Sequence, residues 1–102
     1  MAASYGTVKK AVVDVVDDFT KLDIGAGYGT KYSAKTKLDK IDVVSAKLAV
    51  MPPRFNKVMG KLIGNGWKNV GPIDTVSCVS IGDVISLACE KGSITIPAGE
   101  PT

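Results

Sequence analysis

Apolar side chains recur at helical spacing in four separate stretches of this 102-residue chain and alternate at strand spacing in only one. That pattern restricts the chain to an all-α fold. Val8, Val12, Val15, Phe19 and Leu22 step by four and three, with Val16 widening the stripe. Lys9, Lys10, Asp14, Asp17, Asp18 and Lys21 hold the opposite face, and Thr7 is the expected N-cap. Five valines within nine residues also suit a strand. The adjacent pairs Val12-Val13 and Val15-Val16 break strict alternation, so a helix is predicted over 8–22.

The second stripe is Leu38, Ile41, Val44, Leu48 and Met51, with Asp39 as a cap residue near its start. Pro52 ends it by forcing Met51 out of the helical region, and Pro53 suits the first turn of the next helix. There Phe55, Val58, Met59, Leu62 and Ile63 follow the i, i+3, i+4, i+7, i+8 pattern until Gly64-Asn65-Gly66. Phe55, Met59 and Leu62 are expected in the core. Ile81, Val84, Ile85 and Ala88 mark a fourth helix, opened by a capping box at Ser80 and Asp83 and closed at Gly92.

Between these stretches, residues 23–37 read as a long loop, and 67–79 as a connector anchored by Val70, Ile73 and Val76. Ser93 to Pro97 alternates like a short strand or an extended tail, and Pro97-Ala98-Gly99 is expected to fray. The prediction is one small domain of four helices. At about 100 residues such a chain buries a core without staples. With only six aromatic residues, that core is aliphatic.

Charge is segregated. Residues 31–68 hold nine of the thirteen Lys and Arg against Asp39 and Asp42, a block of +7 between ends of −1 (1–30) and −3 (69–102). Such a field suits an acidic protein face or a polyanion, and a solvated lysine-rich surface is its bland counterpart. Arg54, Lys57 and Lys61 share one helical face, and with Lys40 and Lys47 they form the candidate binding surface for an acidic partner. The alternative is a nucleic-acid-associated protein or a structural, assembly subunit of a larger particle, and 31–37 interleaves Lys31, Lys35 and Lys37 with Tyr32, as single-strand binders do.

Catalysis finds little support. The chain has no His, which removes the commonest general base and metal ligand. Cys78 and Cys89 do not suffice for a zinc site, and in a reducing compartment they read as buried apolar residues. The carboxylate pairs have helix-surface explanations: Asp14 with Lys10 and Asp17 with Lys21 are i,i+4 partners. The Gly25-to-Gly29 run follows a helix and precedes polar loop, the wrong setting for a phosphate cradle. No apolar run approaches the ~20 residues that cross a bilayer. Met1 to Gly6 lacks the layout of a secretory leader, so a cytoplasmic, non-enzymatic protein without cofactor is expected.

Two segments carry a family resemblance. Leu38-Asp39-Lys40-Ile41-Asp42-Val43-Val44 resembles the Asp-Ser-Leu-Asp start of the second helix in acyl carrier proteins. Pro72-Ile73, followed by Val79-Ser80-Ile81-Gly82-Asp83-Val84-Ile85, resembles that family's connector and the opening of its last helix. The resemblance implies a carrier-like helical domain that docks on partner proteins. The residue matching the pantetheine-bearing serine is Lys40, which cannot be esterified, and the matching region is basic where the family is acidic. An alternative register places Ser80 on the serine, making it the one candidate attachment site.

Overall fold

Each long helix is built around a stripe that faces one shared apolar cluster. The computed structural model describes residues 3–102. Met1 and Ala2, part of the stretch read for a leader, lie outside the described residues. Among the described residues six α-helices form: α1 (Tyr5–Asp17), α2 (Ile24–Gly27), α3 (Ser45–Val50), α4 (Pro52–Ile63), α5 (Pro72–Val76) and α6 (Ile81–Gly92). Short 3-10 turns occupy Leu38–Ile41 and Gly64–Gly66. Among the described residues no strand forms, so the all-α expectation holds, with six helices where four stretches were predicted. Ser93 takes a left-handed conformation (φ 55°) that closes α6, and residues 94–97 form neither strand nor helix.

Ser4, not Thr7, caps α1: its Oγ accepts the Thr7 N–H at 3.2 Å, so the helix starts earlier than its apolar stripe. Val8, Val12, Val13, Val15 and Val16 are all buried. The helix ends at Asp17, whose carboxylate ties it to the next segment. Its oxygens accept the Ile24 N–H at 2.7 Å and the Gly25 N–H at 3.3 Å, which pins α2 into the predicted loop. The expected Asp17–Lys21 and Asp14–Lys10 ion pairs do not form among the described residues. Leu22, beyond the helix end, is exposed.

The predicted helix over 38–51 divides in two. Asp42 takes a left-handed conformation (φ 64°), one that short polar side chains tolerate better than most. The twist lets the Val43 N–H reach the Leu38 carbonyl at 2.9 Å and turns Val43 into the core in place of Val44. Asp39 lies inside the 3-10 turn and caps nothing there. Met51 stays helical (φ −69°, ψ −34°) despite the following proline. It is fully buried, and its carbonyl accepts the Phe55 N–H at 2.9 Å, so Pro52 takes the first position of α4. Burial and a helix bond together outweigh the steric bias against that geometry.

Phe55 and Met59 are fully buried as predicted, whereas Leu62 is only half-buried. Asn56 ties α4 to the connector. Its Oδ1 accepts the Val70 N–H (2.8 Å) and the Trp67 Nε1–H (3.1 Å), and its Nδ2 donates to the Val70 carbonyl (3.0 Å). Trp67 then packs on Phe55, ring centroids 5.7 Å apart. Val70 is the connector's buried anchor. Ile73 and Val76 are exposed, because 72–76 forms α5 and presents those two side chains outward.

The Ser80 capping box forms as expected, its Oγ accepting the Asp83 N–H at 3.3 Å. Gly82 is required next: a Cβ there would lie 2.9 Å from the Ala34 carbonyl oxygen, which accepts the Gly82 N–H at 2.8 Å. Segment 33–38 is thereby strapped along the start of α6, which buries Ile81, Val84, Ile85, Ala88 and Cys89 against α1.

Candidate functional site

The basic residues of α4 border a groove against α1. Its lining is Ala11, Arg54, Lys57, Val58, Lys61 and Leu62, and it encloses about 420 Å³. The 3.6-residue repeat explains the layout: Arg54, Lys57 and Lys61 line up on one edge of α4. Val58 and Leu62, on the flank between that edge and the core, meet Ala11 of α1. Leu62 leaves the predicted core because it floors this groove.

The five sequence-predicted cations are not equivalent. Arg54 Nε donates to Asp18 Oδ2 at 2.9 Å and Lys47 Nζ to Asp42 Oδ2 at 3.0 Å. Both pairs are solvated, and such pairs contribute at most about 1 kcal/mol. Lys57 and Lys61 are exposed and make no ion pair among the described residues. Lys47 adjoins the groove's end, since it and Asp42 share a depression with Asp18, the partner of Arg54. Lys40, exposed on the 38–41 turn, is not part of the groove lining. The structure thus brings Arg54, Lys57 and Lys61 together, sets Lys47 beside them and leaves Lys40 apart.

Ser80 is half-buried, with its hydroxyl engaged by the Asp83 N–H. The α6 N-terminus offers no vacant donors for an anion. Asp83 Oδ2 takes the Val79 and Ser80 N–H groups, while the Thr36 and Ala34 carbonyls take those of Ile81 and Gly82. Tyr32 gives no free stacking platform either, because its ring packs on Gly27, within 2.8 Å of where a Cβ would stand.

Sequence reasoning missed a second charged cluster. The Glu100 carboxylate accepts the Tyr5 hydroxyl at 2.9 Å and Lys9 Nζ at 3.0 Å, and Tyr28 donates to the Thr102 carbonyl at 2.7 Å. The tail expected to fray is instead pinned across α1. Hydrogen bonds from Lys9 and Tyr5 hold the Glu100 carboxyl down at about 2. Burial, then the Glu100 carboxylate, pushes the Tyr5 hydroxyl well above its ordinary value. A contact spanning 95 residues has no local signal.

Both thiols are free and buried, and burial together with Asp83 and Asp74 pushes Cys78 up to about 11. That is the opposite of an activated nucleophile. Among the described residues, no three His, Cys, Asp or Glu side chains converge as metal ligands, and no helix is long and apolar enough to cross a membrane. Comparisons with protein-family models, with curated proteins and with solved structures give no match for this chain.

Proposed function

We propose that this chain is a non-enzymatic protein-interaction module whose α1/α4 groove docks an acidic amphipathic segment of a partner. One observation carries the reading: Lys57 and Lys61, exposed and without an ion pair among the described residues, stand over a floor made of Ala11, Val58 and Leu62. A surface built only for phosphates has no use for an aliphatic floor, whereas a helix with one apolar and one acidic face matches both features. Arg54 joins the rim by exchanging Asp18 for a partner carboxylate, at little cost because that pair is half-exposed. The resemblance to acyl carrier proteins supports a docking role rather than a loaded one, since Lys40 stands at the matching serine position and the Ser80 hydroxyl caps α6.

The test is fluorescence anisotropy with a labelled amphipathic Leu/Glu helical peptide and, in parallel, a single-stranded RNA of equal charge. The peptide should bind the wild type, weaken as salt rises, and lose about tenfold or more in affinity to Lys57→Glu/Lys61→Glu. Val58→Asp should weaken it too, since it charges the floor. Tighter binding of the RNA, insensitive to Val58→Asp, would favour the nucleic-acid alternative and overturn the proposal.

A further inference from the structure

Six large apolar side chains stay exposed among the described residues, and five of them (Val44, Val50, Ile73, Val76 and Val79) belong to α3, α5 and their flanks. Ile73 is the extreme, at 84% exposure. Nothing about its helix is loose. Pro72 occupies the first turn, Asp74 Oδ2 accepts the Gly71 N–H at 2.8 Å, and the buried Thr75 hydroxyl donates to the Leu48 carbonyl at 2.6 Å. The protein therefore holds a short helix rigidly in place with its largest apolar side chain pointed at solvent. Scattered exposed apolar residues are ordinary, but Val44, Val76 and Val79 line one depression and Ile73 lies one turn from Val76 on α5, a patch of the kind that marks an interaction site.

Charge identifies the occupant. From Asn69 to Glu90 the chain carries Asp74, Asp83 and Glu90 and no Lys or Arg. Asp74 directly follows the Ile73 knob, and Asp83 and Asp74 both act electrostatically on Cys78 beside it. Lys47 of α3 is paired with Asp42. Lys35 and Lys37 border Asp83, where Lys37 bridges Ser80, so Asp74 is the carboxylate that accompanies the Ile73 knob. The α1/α4 groove has the converse properties: concave where α5 projects, apolar at its floor, cationic at its rim.

Resting on the docking reading above, we propose that the acidic partner of the α1/α4 groove is a second copy of this chain, which inserts Ile73 over Val58 and Leu62 and sets Asp74 against Lys57 and Lys61. The two surfaces lie on different elements: a two-fold pair that seats both knobs at once closes as a dimer, whereas a pair joined through one knob is heterologous, keeps one free groove and one free knob, and grows into a ring or an open chain.

Sedimentation velocity tests this directly. At low salt the mass of the wild type should rise steadily with concentration and fall back toward monomer in high salt. Ile73→Lys, which keeps the groove, and Lys57→Glu/Lys61→Glu, which keeps the knob, should each be monomeric alone. Mixed together they should form a discrete 1:1 dimer, because one intact groove meets one intact knob and neither end can extend. All three positions are exposed, and circular dichroism checks that the variants fold. A wild type that stays monomeric at every concentration overturns the proposal, as does a mixture that forms no heterodimer or an Ile73→Lys variant that still self-associates. The Leu/Glu peptide separates this failure from that of the docking reading. If the peptide binds a monomeric wild type, only the second-copy assignment falls; if it does not bind, both fall.

Discussion

Replacing Asn56 by Ala should destabilise the fold more than its half-buried position suggests. The change removes three hydrogen bonds of 2.8, 3.0 and 3.1 Å at once and strands the Val70 N–H, the Val70 carbonyl and the Trp67 Nε1–H. A typical intramolecular hydrogen bond contributes about 1 kcal/mol net, and a stranded buried group costs about 1–3 kcal/mol. Val70 is almost fully buried, so its two groups bear most of the penalty, while Trp67, half-buried, regains water in part. The expected loss is about 2–3 kcal/mol. For a domain of about 100 residues that corresponds to roughly 10–20 °C in Tm. Urea unfolding followed by Trp67 fluorescence measures the loss and also reports the indole's own surroundings, which should become more polar in the folded variant. Lys57→Ala, one position along the same helix and exposed, is the control and should stay within about 0.5 kcal/mol of wild type. A loss for Asn56→Ala no larger than the control's would refute the claim that this side chain fastens the connector to α4.

Three further outcomes follow from the same geometry. Ser80→Ala should cost about 1 kcal/mol by chemical denaturation through loss of the α6 cap, and wild-type protein co-expressed with a broad-specificity phosphopantetheinyl transferase should keep its unmodified mass. Because the Glu100 carboxyl is held down at about 2, its contribution to stability is present above the ordinary carboxylate range and lost as pH falls toward 2. Wild type should therefore exceed Glu100→Gln in thermal stability at pH 6, with the difference gone near pH 2. The two buried thiols, both pushed upward, should react slowly with a disulfide reagent at pH 8 in the native protein and rapidly in guanidinium.

The helical stripes were legible because burial enforces period: every predicted apolar residue of α6 and most of those of α1 do face the core. What the pattern hid were places where one residue serves two requirements. Leu38, Ile41, Leu48 and Met51 are all buried, so their spacing is a true core signal, yet the backbone linking them is not one helix. A 3-10 turn, a left-handed Asp42 and a short helix deliver the same side chains to the same cluster, because inward direction constrains position and not path. Asp17 looked like a surface carboxylate and serves instead as the acceptor that anchors α2. Asn56 and Glu100 could not be recognised at all, since their partners are fixed only by tertiary approach.

The same reasoning bears on the basic face. The sequence grouped five cations by charge density, whereas the fold sorts them by what lies beside each one. A cation next to an in-chain carboxylate has part of its field cancelled locally, as Asp18 does for Arg54 and Asp42 for Lys47. An exposed lysine with no such neighbour keeps its field but has no specificity, because a flexible ammonium accepts any anion. On the docking reading proposed above, specificity in this groove comes from the uncharged residues: Ala11, Val58 and Leu62 reward a partner that brings apolar surface together with its carboxylates. Ile73 followed directly by Asp74, held outward on a rigid α5, is such a combination, and it lies within this chain.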